Sequence, residues 1–258
     1  MPELPEVETL CRQMGKTVVG TSLLSIRILD DKLAGFPSEI NRRVVSVTRR
    51  GKNLLLSLED GRTLGVHLRM TGRLLWQDGA PERPRYTRAV MAFPHGRIWF
   101  VDPRRFMTLA WERTSPAKCG PEPLGGVDPS FLAARGLNRK CPIKSFLLDQ
   151  SVIAGIGNIY ACEILHQAGI DPARPAGSLD MAAWSRLTTA IGSILDKAVS
   201  CRGTSISDWR DFHGQKGAFQ NELRVYQRAG LSCPRCGEIV ARISLGGRGT
   251  YFCPGCQR

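Results

Sequence analysis

The sequence predicts an α+β chain with more than one domain: a helix heading an antiparallel β sandwich or barrel, then a mostly helical domain, then a small cysteine-rich module. Three observations carry that reading. Between residues 21 and 111 apolar residues gather in short β-rich runs, whereas beyond residue 126 they recur at helical spacing. Residues 120–126, GPEPLGG, form a Pro/Gly-rich link between the two regimes. Near the C-terminus, four of the nine cysteines stand as two C-x-x-C pairs. The resulting domains are 1–119, 120–224 and 225–258, in a chain of 258 residues that can bury a core without covalent staples.

Each element follows from its residues. Residues 2–14 read as a helix because Leu4, Val7, Leu10 and Met14 recur every three or four positions, with Pro2 near the start and Gly15 closing it. The runs 23–29, 54–58, 63–68, 73–76, 89–93, 98–101 and 107–111 read as strands. Between them Asp60-Gly61, Asp78-Gly79 and His95-Gly96 are turn dipeptides that favour hairpins. Helical spacing marks 129–135, 143–149, 158–168 and 179–199. Residues 203–217 are polar and glycine-bearing, which predicts a mobile loop.

Cys233/Cys236 and Cys253/Cys256 enclose sixteen residues, the spacing of a four-thiolate zinc site. Each C-x-x-C turn presents two sulfurs to one tetrahedral ion, and β-like residues 239–244 and 250–252 make the joining hairpin. The alternative, a redox dithiol of thioredoxin type, needs one C-x-x-C beside a βαβ pattern. Four cysteines leave no open coordination position, so the ion is structural. The other five cysteines are scattered singly and read as reduced packing thiols, and the four histidines lack ligand spacing.

There are 36 Lys and Arg against 23 Asp and Glu, a net charge of +13 that favours a polyanionic partner, nucleic acid or an anionic membrane surface. Between residues 42 and 113 fifteen basic residues face six acidic ones. A solvated surface explains any single arginine. For the cluster, phosphate neutralisation is the better account, because like charge on one sheet repels itself unless an anion meets it. No apolar stretch reaches the ~18 residues a membrane span needs. The opening MPELPEVETL, with three Glu and no basic residue, lacks signal or transit chemistry, so a cytosolic protein is expected. The GIGN stretch, 155–158, leads glycines into a helix whose N–H groups suit a phosphate.

Met1 precedes a small residue, so processing exposes Pro2 as a secondary amine. An α-amine near pKa ~8 keeps a neutral fraction at pH 7 that Lys at ~10.4 does not, and it can attack an aldehydic carbon to form an iminium. Glu3 and Glu6 lie three apart beside it and can pass protons. The same residues also suit an ordinary helix N-terminus, where Pro at the first position and acidic side chains are favoured.

Together, MPELPEVETL, RRGKNLLL, HLRMTG, VDPRRF, GPEPL, LLDQSVIAGIGNIYACEIL, GAFQNELRVYQR and the four-cysteine tail resemble bacterial formamidopyrimidine-DNA glycosylase, the 8-oxoguanine repair family, from end to end and in order. The resemblance implies an N-terminal β-sandwich headed by a catalytic helix, a helix-two-turn-helix domain and a zinc finger hairpin holding one structural zinc ion. It further implies a monomer binding double-stranded DNA in a cleft and flipping the oxidised base out of the stack. Carried onto this chain, Pro2 looks like the nucleophile on C1′, Glu3 like the acid that protonates the opening sugar and Glu6 like a supporting carboxylate. Lys52 resembles the β-elimination proton donor and Arg248 the δ-elimination donor that grips phosphate. Met70, Arg104 and Phe106 resemble the void-filling triad, in which Arg104 pairs with the orphaned cytosine. Asn158, Arg139, Lys140 and Lys144 fall at DNA contacts, and 204–219 resembles the loop closing over the flipped base.

The chain departs from the family pattern in four places. Arg85-Tyr86-Thr87-Arg88 stands where a DNA-contacting His is usual, leaving Tyr86 as the residue at that contact. Arg69 and Gln227 each replace a common Gly, and Lys216 a common Pro. Two other readings stay open: the related endonuclease VIII type, which removes oxidised pyrimidines, and a catalytically silent zinc-finger DNA-binding protein. Leu4 and the Met70/Arg104/Phe106 set favour the purine enzyme; intact Pro2, Glu3 and Lys52 argue against the silent protein.

Overall fold

The computed structural model describes residues 2–33, 35–79, 82–111, 119–206 and 208–258. Met1, whose removal exposes Pro2, and Arg113, the last of the basic cluster, lie outside them. The chain divides into two compact units, Met1–Ala117 with Val199–Gln220, and Lys118–Ala198 with Asn221–Arg258. The sequence boundaries run along the chain and differ from this division at 199–220, which packs with the first unit, and at 225–258, which shares one unit with 118–198.

The first unit opens with α1 (Leu4–Val18), which buries Leu4, Val7, Leu10, Met14 and Val18. The helix passes through Gly15, where the sequence predicted its end. Burial of Val18, one step further along the same apolar stripe, outweighs the cost of about 1 kcal/mol for an interior glycine. Eight strands follow: β1 (Ser22–Ile28), β2 (Glu39–Arg50), β3 (Asn53–Leu58), β4 (Thr63–His67), β5 (Arg73–Asp78), β6 (Thr87–Phe93), β7 (Gly96–Val101) and β8 (Thr108–Trp111). They form one antiparallel sheet in the order β5-β7-β6-β1-β2-β3-β4-β8.

Strand β2 has no counterpart among the predicted runs. Only Ile40 and Val44 of its twelve residues are buried, so it carries little apolar alternation. It is nevertheless the corner strand, pairing with β1 from Glu39 to Arg43 and with β3 from Val44 to Arg50. Both halves of the sheet thereby face one core, joined by α1 side chains and by Trp209 and Phe212. Asp78-Gly79 does not make a hairpin between neighbours, because β5 pairs with β7.

Residues 203–206 and 208–217, of the stretch predicted as a mobile loop, are tethered to the first unit as a strap. Trp209 and Phe212 join the core, and Phe212 stacks on Trp76 at 6.0 Å. Gln13 of α1 donates to Asp211 at 3.0 Å and accepts from the Phe212 N–H at 2.9 Å. Two aromatic anchors inside a polar stretch override its loop-like composition.

The second unit holds α2 (Pro129–Gly136), α3 (Ile143–Leu148), α4 (Asn158–Ala168) and, as far as Ala198, α5 (Met181–Ser200) around a core that includes Leu132, Phe146, Tyr160 and Trp184. Asp128 caps α2 by accepting from Ser130 N at 2.8 Å, and Gly169 ends α4 in the left-handed conformation. The finger is a hairpin of β9 (Ala241–Leu245) and β10 (Arg248–Phe252) joined by Gly246-Gly247, both at positive φ as a tight two-residue turn requires. Buried Glu163 accepts the N–H groups of Arg224, Val225 and Tyr226 at 2.9, 3.0 and 2.8 Å and fixes the chain entering the finger. Among the described residues no helix is long and apolar enough to cross a membrane.

Candidate active site

Glu3 caps α1 through a reciprocal box: its side chain accepts from the Glu6 N–H, while Glu6 Oε2 accepts from Glu3 N at 2.7 Å. Glu6 Oε1 accepts from Thr204 N at 2.7 Å, so one carboxylate joins the head of the helix to the strap. Pro2 is buried beside this box, with Glu3 and Glu6 each 1% exposed. The arrangement places two carboxylates and Pro2 together at one helix start, away from bulk water.

Lys52 stands on the tight β2–β3 turn, where Gly51 takes a left-handed φ of 56° and Arg50 pairs with Asn53. Arg49 ties this turn to α1: its Nε donates to Glu8 at 2.7 Å and its NH1 to Gly51 O at 2.9 Å. Burial works against the Glu8 charge, but hydrogen bonds from Arg49 and Arg12 outweigh it and hold the carboxyl below its usual range.

His67, at the end of β4, pairs in register with Asn53, the residue after Lys52. Burial, then the nearby charges of Arg69 and Lys52, push it down to about 4, so it is neutral at pH 7. Its Nδ1 accepts from Arg69 N at 3.0 Å, which leaves the proton, and a donor, on Nε2. Sequence reading gives Arg49 no role of its own and takes His67 only as one of four histidines without ligand spacing. Their signal lies in the strand register, which spacing alone does not reveal.

Met70, Arg104 and Phe106 come together as one exposed cluster. The Arg104 guanidinium lies 4.8 Å over the Phe106 ring and its NH1 reaches Met70 Sδ at 3.5 Å, while Met70 and Phe106 stay 45% and 48% exposed. Arg69 has a φ of 56° and Gln227 one of 58°, the left-handed region where glycine is the unstrained residue. Tyr86 is exposed, also left-handed, and stacked under Arg85 at 4.7 Å.

In the second unit, Arg139 and Lys140 are exposed in the turn between α2 and α3, and Arg248 is exposed at the start of β10. Asn158 begins α4, its amide donating to Gly249 O at 3.0 Å. Lys144 departs from expectation. It is 1% exposed, and its ammonium donates to Asn158 Oδ1 at 2.6 Å, Thr250 Oγ1 at 2.7 Å and Gly249 O at 3.3 Å. These protein acceptors hold its ammonium, so it pins the finger hairpin to α4 and faces the protein and not the solvent.

The cysteines fit a tetrahedral ion. The Sγ atoms of Cys233, Cys236, Cys253 and Cys256 all lie within 4.8 Å of one another. The Cys233–Cys256 separation is 3.8 Å and the Cys236–Cys253 separation 3.4 Å. Zinc–sulfur bonds of about 2.3 Å at tetrahedral angles put sulfurs about 3.8 Å apart. Arg235 N points at Cys233 Sγ at 3.4 Å, and the buried His166 Nε2 lies 3.3 Å from the same sulfur. The four thiolates are the site of one structural zinc ion.

Such a chain, with a capped helix heading an antiparallel sheet, an exposed apolar–arginine cluster, a strongly basic composition and a four-cysteine finger, falls in the class of zinc-finger nucleic-acid-binding proteins. Comparison with known proteins gives the family. Residues 1–109 match the formamidopyrimidine-DNA glycosylase N-terminal domain, 119–209 the H2TH domain of the same family and 230–258 the zinc finger found in FPG and IleRS. The formamidopyrimidine-DNA glycosylase of Desulfitobacterium hafniense is 41% identical over 272 residues, covering both chains fully. That of Pelotomaculum thermopropionicum is 40% identical over 100% of this chain and 99% of its own. A Lactococcus lactis Fpg complexed with abasic-site DNA superimposes with a TM-score of 0.92 at 34% identity over 99% of each chain. A MutM bound to carbocyclic 8-oxo-G DNA gives 0.90 at 34% over all of both. The chain belongs to the formamidopyrimidine-DNA glycosylase family.

Proposed function

We propose that this chain excises oxidised purines from double-stranded DNA and then cuts the abasic site, with Pro2 as nucleophile. The carrying observation is the Glu3–Glu6 box at the head of α1, which holds acid and amine together in a buried place. The Pro2 nitrogen attacks C1′ and the glycosidic bond breaks, releasing the base and leaving an iminium once the sugar ring opens. Glu3 protonates the ring oxygen, and Glu6 positions Glu3 through its backbone N–H. The iminium acidifies the C2′ hydrogens. β-Elimination then breaks the 3′ C–O bond with Lys52 moving the proton, and δ-elimination breaks the 5′ bond with Arg248 at the phosphate. Water returns the free proline, and a one-nucleotide gap remains.

The wedge of Met70 and Phe106 fills the space of the flipped nucleotide while Arg104 pairs with the orphaned cytosine. Asn158, Arg139 and Lys140 grip backbone phosphates, and Tyr86 stacks where the family's His would donate. Cys233, Cys236, Cys253 and Cys256 hold the zinc, whose chemistry is structural: it keeps Arg248 on a rigid hairpin. The protein acts as a monomer on chromosomal DNA, in the cytoplasm at the nucleoid.

Borohydride trapping tests the reading. Met-processed protein is incubated with an 8-oxoguanine:cytosine duplex, reduced, and mapped by mass spectrometry; an adduct on Pro2 is expected. Binding without any adduct would overturn it in favour of the silent binder. A Lactococcus lactis Fpg is also solved with oxidised-pyrimidine DNA, so excision of thymine glycol in preference to 8-oxoguanine, and not its binding alone, is what would point to the endonuclease VIII type.

A further inference from the structure

Met70 stands just beyond β4, and Arg104 and Phe106 just beyond β7, so the wedge keeps one shape only if the two turns are tied together. Asp102, 1% exposed, ties them. Its Oδ1 accepts from the Thr71 hydroxyl at 2.5 Å and from Arg104 N at 3.2 Å. Its Oδ2 accepts from Phe106 N and Met107 N, each at 2.7 Å. One carboxylate thus holds the backbone of Arg104 and of Phe106 and the side chain next to Met70.

The same turn is braced from behind. Arg105 takes a φ of 58°, which turns its guanidinium away from Arg104 and back onto Asp30, with Nε at 2.9 Å, and onto Asp31 at 2.7 Å. Buried Arg88 bonds Asp30 at 2.5 Å and Met107 O at 2.7 Å, and lies 3.6 Å from Asp102. Two arginines are spent on holding this turn while the third, Arg104, is left outside. An ionised carboxylate only accepts, which matches four converging donors; an amide in its place turns N–H groups toward some of them.

We infer that Asp102, with Thr71 as its link to the Met70 turn, is the positioning residue of the wedge and sets how strictly the opposite base is read. The inference rests on the proposed function, since it concerns the wedge of that reaction. Both act through Met70, Arg104 and Phe106, to which their hydrogen bonds lead.

The test uses the full-length, zinc-loaded protein and the variants Asp102→Asn, Thr71→Val and Thr71→Ser. Two readouts are compared: the ratio of excision from 8-oxoguanine:cytosine to 8-oxoguanine:adenine duplexes, and cleavage of a preformed abasic site in single-stranded DNA, which has no opposite base. The ratio is expected to fall about tenfold in Asp102→Asn, less in Thr71→Val, and to recover in Thr71→Ser, because hydrogen bonds to a charged group are lost or kept. Single-strand cleavage should stay at the wild-type level. A wild-type ratio in Asp102→Asn and Thr71→Val overturns the inference, as does a fall in single-strand cleavage in step with the ratio. Should Asp102→Asn fail to fold, the Thr71→Val and Thr71→Ser pair decides by the same two readouts. A wild-type protein that cuts neither lesion nor abasic site overturns the functional reading instead.

Discussion

The Arg104 guanidinium stacks on the Phe106 ring at 4.8 Å, so the cation proposed to read the opposite base is carried on the apolar side chain proposed to wedge the stack. The two functions share one contact. Arg104→Ala should therefore relax opposite-base discrimination by about ten- to a hundredfold, the worth of a bidentate base contact. Excision rates opposite each of the four bases measure this. An equal fall opposite every base would show that Arg104 only binds phosphate.

The finger's metal site makes a separate prediction. Its four thiolates are the only metal-competent cluster among the described residues, and binding energy at such a site is folding energy. Cys233→Ala should drop zinc from one ion per chain to none and weaken duplex binding at least about tenfold, since the hairpin that carries Arg248 loses its staple. Metal analysis beside a binding titration checks both. Retained zinc with unchanged affinity would refute the role.

Lys140 and Lys144 are four residues apart and stand in opposite surroundings. Lys140 is exposed, so Lys140→Ala should weaken binding alike for all sequences and reduce the salt slope by about one. Lys144 is fully buried and bonded to Asn158 and Thr250, so Lys144→Met should leave those acceptors unpaired, at about 1–3 kcal/mol each. Thermal unfolding together with binding at several salt concentrations separates the two outcomes.

That contrast also marks where the sequence stops being legible. Helices α1 to α5 and most strands follow from periodicity, because each buries one face against one core. Two adjacent cysteine pairs need no fold to be recognised, and Pro2, Glu3 and Glu6 are local to one helix start. Lys144 was misread because a lysine near a glycine-led helix looks the same whether it faces phosphate or a carbonyl. β2 was missed because a corner strand with two buried residues has no alternation to detect. The strap was misread because Trp209 and Phe212 act as anchors only once Gln13 and Trp76 are brought to them, and register placed His67 beside Lys52.

The Glu8–Arg49 pair predicts a pH dependence. Glu8 has its folded pKa lowered, so its contribution is present above its unfolded pKa of about 4.3 and is lost as pH falls through the lower folded value. Glu8→Gln should cost about 1–3 kcal/mol at pH 7, where two hydrogen bonds to a charge are weakened. The gap between wild type and variant should close toward pH 3. Thermal unfolding at both values tests it, and a gap that persists in acid would mean that the loss is packing and not charge.

Glu6 reaches the strap at Gly203 as well as at Thr204. Gly203 has a φ of 78°, and a Cβ there would lie 2.6 Å from Glu6 Oε1 and 2.8 Å from its Cγ. Gly203→Ala must therefore displace either the strap or the carboxylate that orients Glu3, against a backbone conformation costing a further 1–3 kcal/mol or so. A shifted Glu6 withdraws its support from the Glu3 N–H, so formation of the Pro2 adduct should slow on duplex and single-stranded abasic DNA alike. The wedge lies on other turns, so the ratio of excision opposite cytosine to that opposite adenine should hold. Trapping kinetics with both substrates measure the first effect and paired duplexes the second. An unchanged adduct rate in a folded Gly203→Ala protein would show that the strap holds Glu6 without mattering to the chemistry at Pro2.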